Sequence, residues 1–179
     1  DSTAAQKGAD FIQICDAFNI PIVSLTDVGG FKASVEEEQK GILKSTSKLV
    51  YAFANATVPK VNVIVRKAFG SAYVAMNSKH IGADIVFAWP TAQISVMNPE
   101  GAVNIMYADE LKVSDDPSSL RAEKIEEFSS VQGSAYTVAS RGYIDDIIEP
   151  AATRKRVIAA LEMLYSKREQ RPTKKHGTV

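Results

Sequence analysis

A chain of 179 residues, 45% of them hydrophobic and 23% charged, is long enough to bury a full core as one compact domain. Its 21 basic and 21 acidic residues cancel, so the overall charge points neither to nucleic acid nor to a membrane surface, and no stretch approaches the roughly 18 unbroken apolar residues of a membrane helix. The single cysteine, Cys15, excludes an internal disulfide, and a cytoplasmic protein is the expectation. Asp1-Ser2-Thr3 at the start carries neither an initiator Met nor a charged and then apolar leader, which leads us to expect a piece of a longer polypeptide.

From Ala4 to Phe18, apolar residues at Phe11, Ile12, Cys15 and Phe18 recur at helical spacing, with that face turned inward and Cys15 a core thiol. Asn19-Ile20-Pro21 breaks the helix, and Ile22 to Val28 reads as a strand ending at Gly29-Gly30. A second helix is expected between Val35 and Val58. Its stripe is Ile42, Leu43, Leu49, Val50 and Phe53, with Glu36, Glu37 and Glu38 in the first turn, where the helix dipole favours acids. After Pro59, Val61 to Val65 is a β-branched strand too apolar for an exposed edge. A short buried helix from Ser71 to His80, a strand from Asp84 to Trp89 and a strand from Gln93 to Met97 follow. Asn98 then caps a helix with Pro99 in its first position. Lys112 to Ser119 reads as a surface excursion and Leu120 to Val131 as a charged helix stopped by Gly133. Ala135 to Ser140 is a short helix and Tyr143 to Ile148 a strand. The last helix shows Val157, Ile158, Leu161, Leu164 and Tyr165 on one face. Residues 170–179 form a basic tail, read as solvated.

Three strands thus run into loops that open helices. At Gly70-Ser71-Ala72 this places free backbone N–H groups together at the positive end of a helix dipole, a geometry that holds an oxyanion; the same small residues equally suit close packing of a helix on a sheet. Ser71 also sits where some hydrolases present a nucleophile. The two histidines, His80 and His176, are not obvious neighbours for it, and His80 reads as a helix-end residue. Gly29-Gly30-Phe31 closes the first strand similarly. Asp145-Asp146 reads as structural because adjacent residues on a strand point to opposite faces. No metal-ligand spacing and no glycine-rich nucleotide loop occurs, so no protein-bound metal is expected.

Several segments carry a resemblance. They include Cys15 to Pro21, Ala56 to Lys60, Arg66 to Met76, Ser78 to Asp84 with Ala88 to Ala92, Ser114 to Pro117, Arg141 to Pro150 and Lys174 to Gly177. In these the chain resembles the C-terminal domain of carboxyltransferase subunits of biotin-dependent acyl-CoA carboxylases and decarboxylases, of the propionyl-CoA carboxylase, methylmalonyl-CoA decarboxylase and transcarboxylase type. The resemblance implies an α/β crotonase-like (ClpP/crotonase) fold, a spiral of ββα units, over residues 1–179. It implies partners as well: an N-terminal domain that holds acyl-CoA, a biotin carboxyl carrier protein, and a homo-oligomer that is hexameric in the full-length family. The cofactor would be biotin on its carrier, with a short-chain acyl-CoA as substrate.

The family's oxyanion hole for biotin falls on the backbone N–H groups of Ser71 and Ala72, flanked by Phe69, Gly70 and the loop Gly29, Gly30, Phe31. Many relatives have Gly where this chain has Ser71. Val74 falls at a position tied to the choice of acyl chain and joins the apolar set, and Asn98, Pro99 and Gly101 form a second loop beside the site. The stretch Thr26 to Ser34 departs from the family, which commonly has Pro before the second Gly and Pro-Gly after Phe. Carboxyl transfer stabilised by backbone amides needs no side-chain base, in keeping with so bare a set of side chains. Two alternatives are weighed: another crotonase-fold enzyme, or a docking and oligomerisation domain inactive alone. A Clp-type protease would carry its base His where Asn98 stands, and a hydratase would carry glutamates absent from the Gly70 and Gly29 loops.

Overall fold

The computed structural model describes residues 1–172, so the Lys174-Lys175-His176 tail lies outside the described residues. Helix α1 (Ser2–Ala17) starts at Asp1, whose carboxylate accepts the Ala4 N–H at 2.7 Å. It buries Ala5, Ala9, Ile12 and Cys15. Phe11 and Phe18, expected inside, are exposed, because this i, i+3, i+4 stripe of small residues is narrow and the two aromatic rings fall beside it. Strand β1 (Ile22–Val28) has the expected bounds and alternates buried and exposed residues.

The single helix expected from Val35 to Val58 is two, α2 (Val35–Gln39) and α3 (Ile42–Asn55). Gly41 adopts φ 77°, a left-handed turn that the hydrophobic stripe could not announce, and Leu43 beyond it faces solvent. Glu37 is buried at the start of α2 and its carboxylate accepts the Ser2 N–H at 2.6 Å, tying α2 to the start of α1. This hydrogen bond holds the Glu37 carboxyl below its usual range. A depressed folded-state pKa contributes stability that is present above the unfolded value and lost as pH falls through the folded one. Loosening of the α1 start on acidification is therefore expected, read as faster amide exchange at Ser2. In Glu37→Gln that pH dependence should vanish; an identical acid response in the variant would refute the assignment.

Strand β2 (Lys60–Phe69) runs four residues past the expected Val65, because its second half finds a different neighbour. Helix α4 (Gly70–Ala75) follows at once and ends well short of the expected His80. There Asn77, at φ 52°, turns the chain into a 3-10 turn at Lys79–Ile81. Strands β3 (Ile85–Ala88) and β4 (Gln93–Ser95) are trimmed at their ends. Helix α5 (Pro99–Met106) has the expected Asn98 cap, whose side-chain oxygen accepts the Gly101 N–H at 3.1 Å. The expected surface excursion is partly helical. α6 (Ala108–Val113) ends inside it and α7 (Pro117–Glu127) begins inside it, capped by Asp116, and a wider helical turn covers Phe128–Gln132. α8 (Ala135–Ser140) matches expectation, and β5 (Asp146–Ile147) is reduced to two residues. In the final helix α9 (Thr153–Met163), Val157 and Leu161 pack inward, followed by Leu164, whereas Ile158 and Tyr165 face out.

All strand pairs are parallel, in the order β1-β2-β3-β5, with β4 also on β2. Connections through helices permit this, and burial of both faces explains the apolar run in β2. Residues Val61 to Ile64 of β2 pair with β3, while Lys67 to Phe69 pair with β4. Between these halves the register against β1 slips, from Thr26 opposite Ile64 to Val28 opposite Ala68. Asp27 repairs the slip: its carboxylate accepts the Lys67 N–H at 3.2 Å and holds the Arg66 guanidinium at 2.7 Å. Val61 and Val63 pack with Phe87, Ile148 and Ala160 on the α9 side, and Ile64 and Ala68 pack with Tyr73, Val86 and Ile94 on the other. A third cluster joins α1 and α3 through Ile12, Cys15, Leu49 and Phe53, where Cys15 is the core thiol expected.

Candidate active site

Helix α4 is anchored from beneath by a buried polar network. Asn62 on β2 accepts the hydroxyls of Thr26 at 2.7 Å and Ser24 at 3.1 Å, and donates its amide N–H to the Met76 carbonyl at 3.1 Å; Asn77 donates to Ser24 Oγ at 3.0 Å. Thr26, Asn62 and Asn77 are fully buried, so each bond forms in a low dielectric where leaving it unmade is costly. The end of the short helix is thereby fixed against the sheet.

Its start is fixed by glycine. Gly70 has φ 62°, and a Cβ there would lie 3.1 Å from the Val96 carbonyl oxygen just past β4, so neither the backbone angle nor the space admits a side chain comfortably. Phe69 provides no side-chain cap. The N–H groups of Gly70, Ser71 and Ala72 therefore precede the first intrahelical bond of α4, with the positive end of its dipole behind them.

In front of this turn lies a cleft of about 720 Å³. Gly70, Ser71 and Val74 line one side, and Val96, Met97 and Ala102 line another. Ser71 is exposed, whereas Ala72 and Phe69 are buried beneath. Of the second loop, Asn98, Pro99 and Gly101 themselves stay off the wall; Asn98 is spent capping α5 while its neighbours Met97 and Ala102 face the cleft. Gly29 and Gly30 are exposed at the end of β1, and Phe31 packs against the cluster between α1 and α3. The structure does not bring that loop to the cleft wall.

The sequence did not single out several lining residues as site residues, among them Tyr73, Arg141 and Tyr143. His80, read there as a helix-end residue, also lines the cleft, with its ring 5.0 Å from that of Tyr143 and edge-on to Tyr73 at 6.0 Å. Burial pushes the Tyr73 phenol up to about 12, so it remains a neutral hydroxyl at physiological pH, and that hydroxyl has no hydrogen-bond partner among the described residues. Asp145 and Asp146 stay structural, as expected: Asp145 accepts the Val86 N–H at 2.7 Å and pairs with Lys79 at 2.8 Å, while Asp146 faces Arg156 at 3.7 Å. Among the described residues no group of three or more His, Cys, Asp or Glu could hold a metal ion. No described helix is long and apolar enough to cross a membrane.

With backbone donors at a helix start, apolar walls and no carboxylate lining it among the described residues, the cleft is suited to bind a carbonyl-bearing ligand and stabilise charge on its oxygen. Residues 1–179 match the family model described as "Carboxyl transferase domain". The chain is 54% identical, over its whole length and 35% of the relative, to the carboxyltransferase subunit of propionyl-CoA carboxylase from Haloferax mediterranei. It is 48% identical, over its whole length and 35% of the relative, to the alpha subunit of methylmalonyl-CoA decarboxylase from Propionigenium modestum. A solved transcarboxylase 12S structure, described as a hexamer with methylmalonyl-CoA and methylmalonic acid bound, superposes with a TM-score of 0.94 at 49% identity, covering 99% of this chain and 34% of that one. The fold is thus the crotonase-like α/β fold that the resemblance implied. The chain spans about a third of the length of these relatives, 35% and 34% in the cases above.

Proposed function

The chain belongs to the carboxyl transferase domain family, and from that premise we propose that it is the biotin-handling half of an acyl-CoA carboxyltransferase. Its reaction would move a carboxyl group between N1 of biotin and the α-carbon of a short-chain acyl-CoA. The observation that carries this reading is the start of α4, where the N–H groups of Ser71 and Ala72 precede the first intrahelical bond and Ser71 opens onto the cleft. Donors held rigidly by β2 and by the Asn62 network need no reorganisation when charge develops on a ureido oxygen, and one such donor is worth on the order of 10²–10³ in rate.

The residues present fit the cofactor. Apolar walls at Val74, Val96 and Met97 accept a hydrophobic bicycle, and Gly70 keeps the turn free of bulk. Bound biotin supplies the nitrogen that carries the carboxyl group; the chain orients the ureido ring and screens it from water. Val74 would set the room left for the acyl chain. The biotin would arrive on a carrier protein, and the acyl-CoA on an N-terminal carboxyltransferase domain within a homo-oligomer. The identities to propionyl-CoA and methylmalonyl-CoA enzymes support this arrangement.

Carboxyl transfer from methylmalonyl-CoA to biocytin tests the reading. The 179-residue chain alone is expected to show none, and to show it once combined with the N-terminal domain of a relative. Robust turnover by the chain alone would remove the half-site reading, and no transfer in either case would remove the assignment.

A further inference from the structure

The cleft carries a cation that the reaction as proposed has not used. Arg141 lies at the C-terminal end of α8, where Gly142 donates its N–H to Ala139 O at 2.9 Å and Tyr143 donates to Val138 O at 3.4 Å. These are the paired bonds of a Schellman turn, which fix the backbone that carries Arg141. The beginning of the same helix is docked on β4. Ile94 donates its N–H to Gly133 O at 2.8 Å, and Ser134 bridges Gln93 and caps the helix by accepting the Thr137 N–H at 3.2 Å. Helix α8 is thus held at both ends, and its last turn lines the cleft with Val138 and Arg141.

Among the described residues no Asp or Glu lines this cleft, and its ionisable lining residues are Tyr73, His80, Arg141 and Tyr143. The carboxylates nearest to Arg141 in sequence are engaged elsewhere, Asp145 with Lys79 and Asp146 with Arg156. Other arginines have partners: Arg66 pairs with Asp27 at 2.7 Å and Arg171 with Glu169 at 2.6 Å. Arg121 on α7 and Arg154 on α9 also lack an ion pair among the described residues, but neither lines the cleft. Among the described residues Arg141 is therefore a guanidinium without counter-charge, solvent-exposed on the wall of a largely apolar cleft. Its planar fork of N–H donors matches the geometry of a carboxylate.

We propose that Arg141 is a specificity-determining residue that recognises the carboxylate in transit, whether on biotin N1 or on the acyl-CoA. This inference rests on the carboxyltransferase reading above. The uncarboxylated partners, biotin and the plain acyl thioester, present no such anion, so Arg141 would favour the loaded form of a ligand over its unloaded form. The Ser71 and Ala72 donors act on a carbonyl oxygen and do not make that distinction.

Equilibrium binding tests the inference in the chain combined with the N-terminal domain. One arm compares freshly prepared carboxybiocytin at mildly alkaline pH with biocytin, and the other compares methylmalonyl-CoA with propionyl-CoA. Arg141→Gln is expected to weaken the carboxylated ligand of at least one arm by about tenfold to a hundredfold, the scale of one charge-assisted hydrogen-bonded contact, and to leave its uncarboxylated counterpart within about twofold. Arg141→Lys, which keeps the charge and loses the fork, should fall between. The arm that responds tells which carboxylate is held. Equal loss on both members of each arm, or no loss at all, would overturn the inference while leaving the carboxyltransferase reading in place. If the unmodified protein binds none of these ligands, that reading fails and this inference fails with it. Unchanged melting temperatures of the two variants separate recognition from folding.

Discussion

Replacing Ser71 by Pro is expected to reduce carboxyl transfer by at least 10²–10³-fold, whereas Ser71→Gly should retain activity within a few-fold. Proline removes the backbone N–H, and glycine keeps it while removing the hydroxyl. Ser71 is the second residue of α4, where no intrahelical bond uses its N–H, so the loss in Ser71→Pro falls on a donor and not on the helix ladder. Proline also constrains Gly70 before it, so a second probe is required: lactic acid in place of Ala72 exchanges the amide for an ester and deletes the neighbouring donor with little change of shape. Steady-state transfer between methylmalonyl-CoA and biocytin measures both. Equal activity of Ser71→Pro and Ser71→Gly would refute the backbone role. Loss of activity in Ser71→Gly as well would return the chemistry to the hydroxyl.

Gly70→Val should be the most damaging single change to the turn itself. A left-handed backbone costs a β-branched residue about 1–2 kcal/mol, and forcing the added side chain against the Val96 carbonyl, 3.1 Å from its Cβ, costs a further roughly 1–3 kcal/mol. The sum, about 2–5 kcal/mol, corresponds to a fall in Tm of roughly 5–15 °C for a domain of this size. Activity should fall further than stability, because relief of the contact moves either β4 or the α4 start and so the donors. Gly29→Ala is the matched control. Nothing lies within 4 Å of the Cβ it would add, and its φ is outside the left-handed region, so a change within about 0.5 kcal/mol is expected. Similar melting curves for the two variants would show that the turn at Gly70 yields more readily than its geometry indicates.

Much of the architecture was legible because it rests on local chemistry. The β-branched run at Val61 to Val65 marks a buried central strand, and Asn98-Pro99 marks a helix start; both hold, since propensity and capping act within a few residues. The errors have one cause. Phe11 and Phe18 obey helical spacing yet face solvent, and the stripe from Ile42 to Phe53 runs back toward Val35 across a left-handed Gly41, because periodicity records which residues could share a face and not where the chain must turn to pack. The second half of β2 was missed for a similar reason: Arg66 and Lys67 look like the end of a strand until β4 and Asp27 supply their partners.

The Gly70-Ser71-Ala72 turn was visible as a place for an anion, with close packing an equal explanation from the residues alone. Both descriptions apply to parts of it: Ala72 is buried against the core and Ser71 opens onto the cleft. Arg141 and Tyr143 left no local signal, since they come to that turn from the end of α8, about seventy residues on, and His80, nine residues from Ser71, was not an obvious neighbour until the 3-10 turn placed it. By itself, then, the sequence determined most of the elements, the apolar centre of the sheet and the Gly70-Ser71-Ala72 turn as a place with donors to spare, all set by interactions among near neighbours. Only the tertiary structure decided what faces those donors, because a cleft wall is assembled by long-range packing. Here the docking of α8 on β4 set the Arg141 guanidinium, without an ion pair among the described residues, in the same cleft as the Ser71 turn.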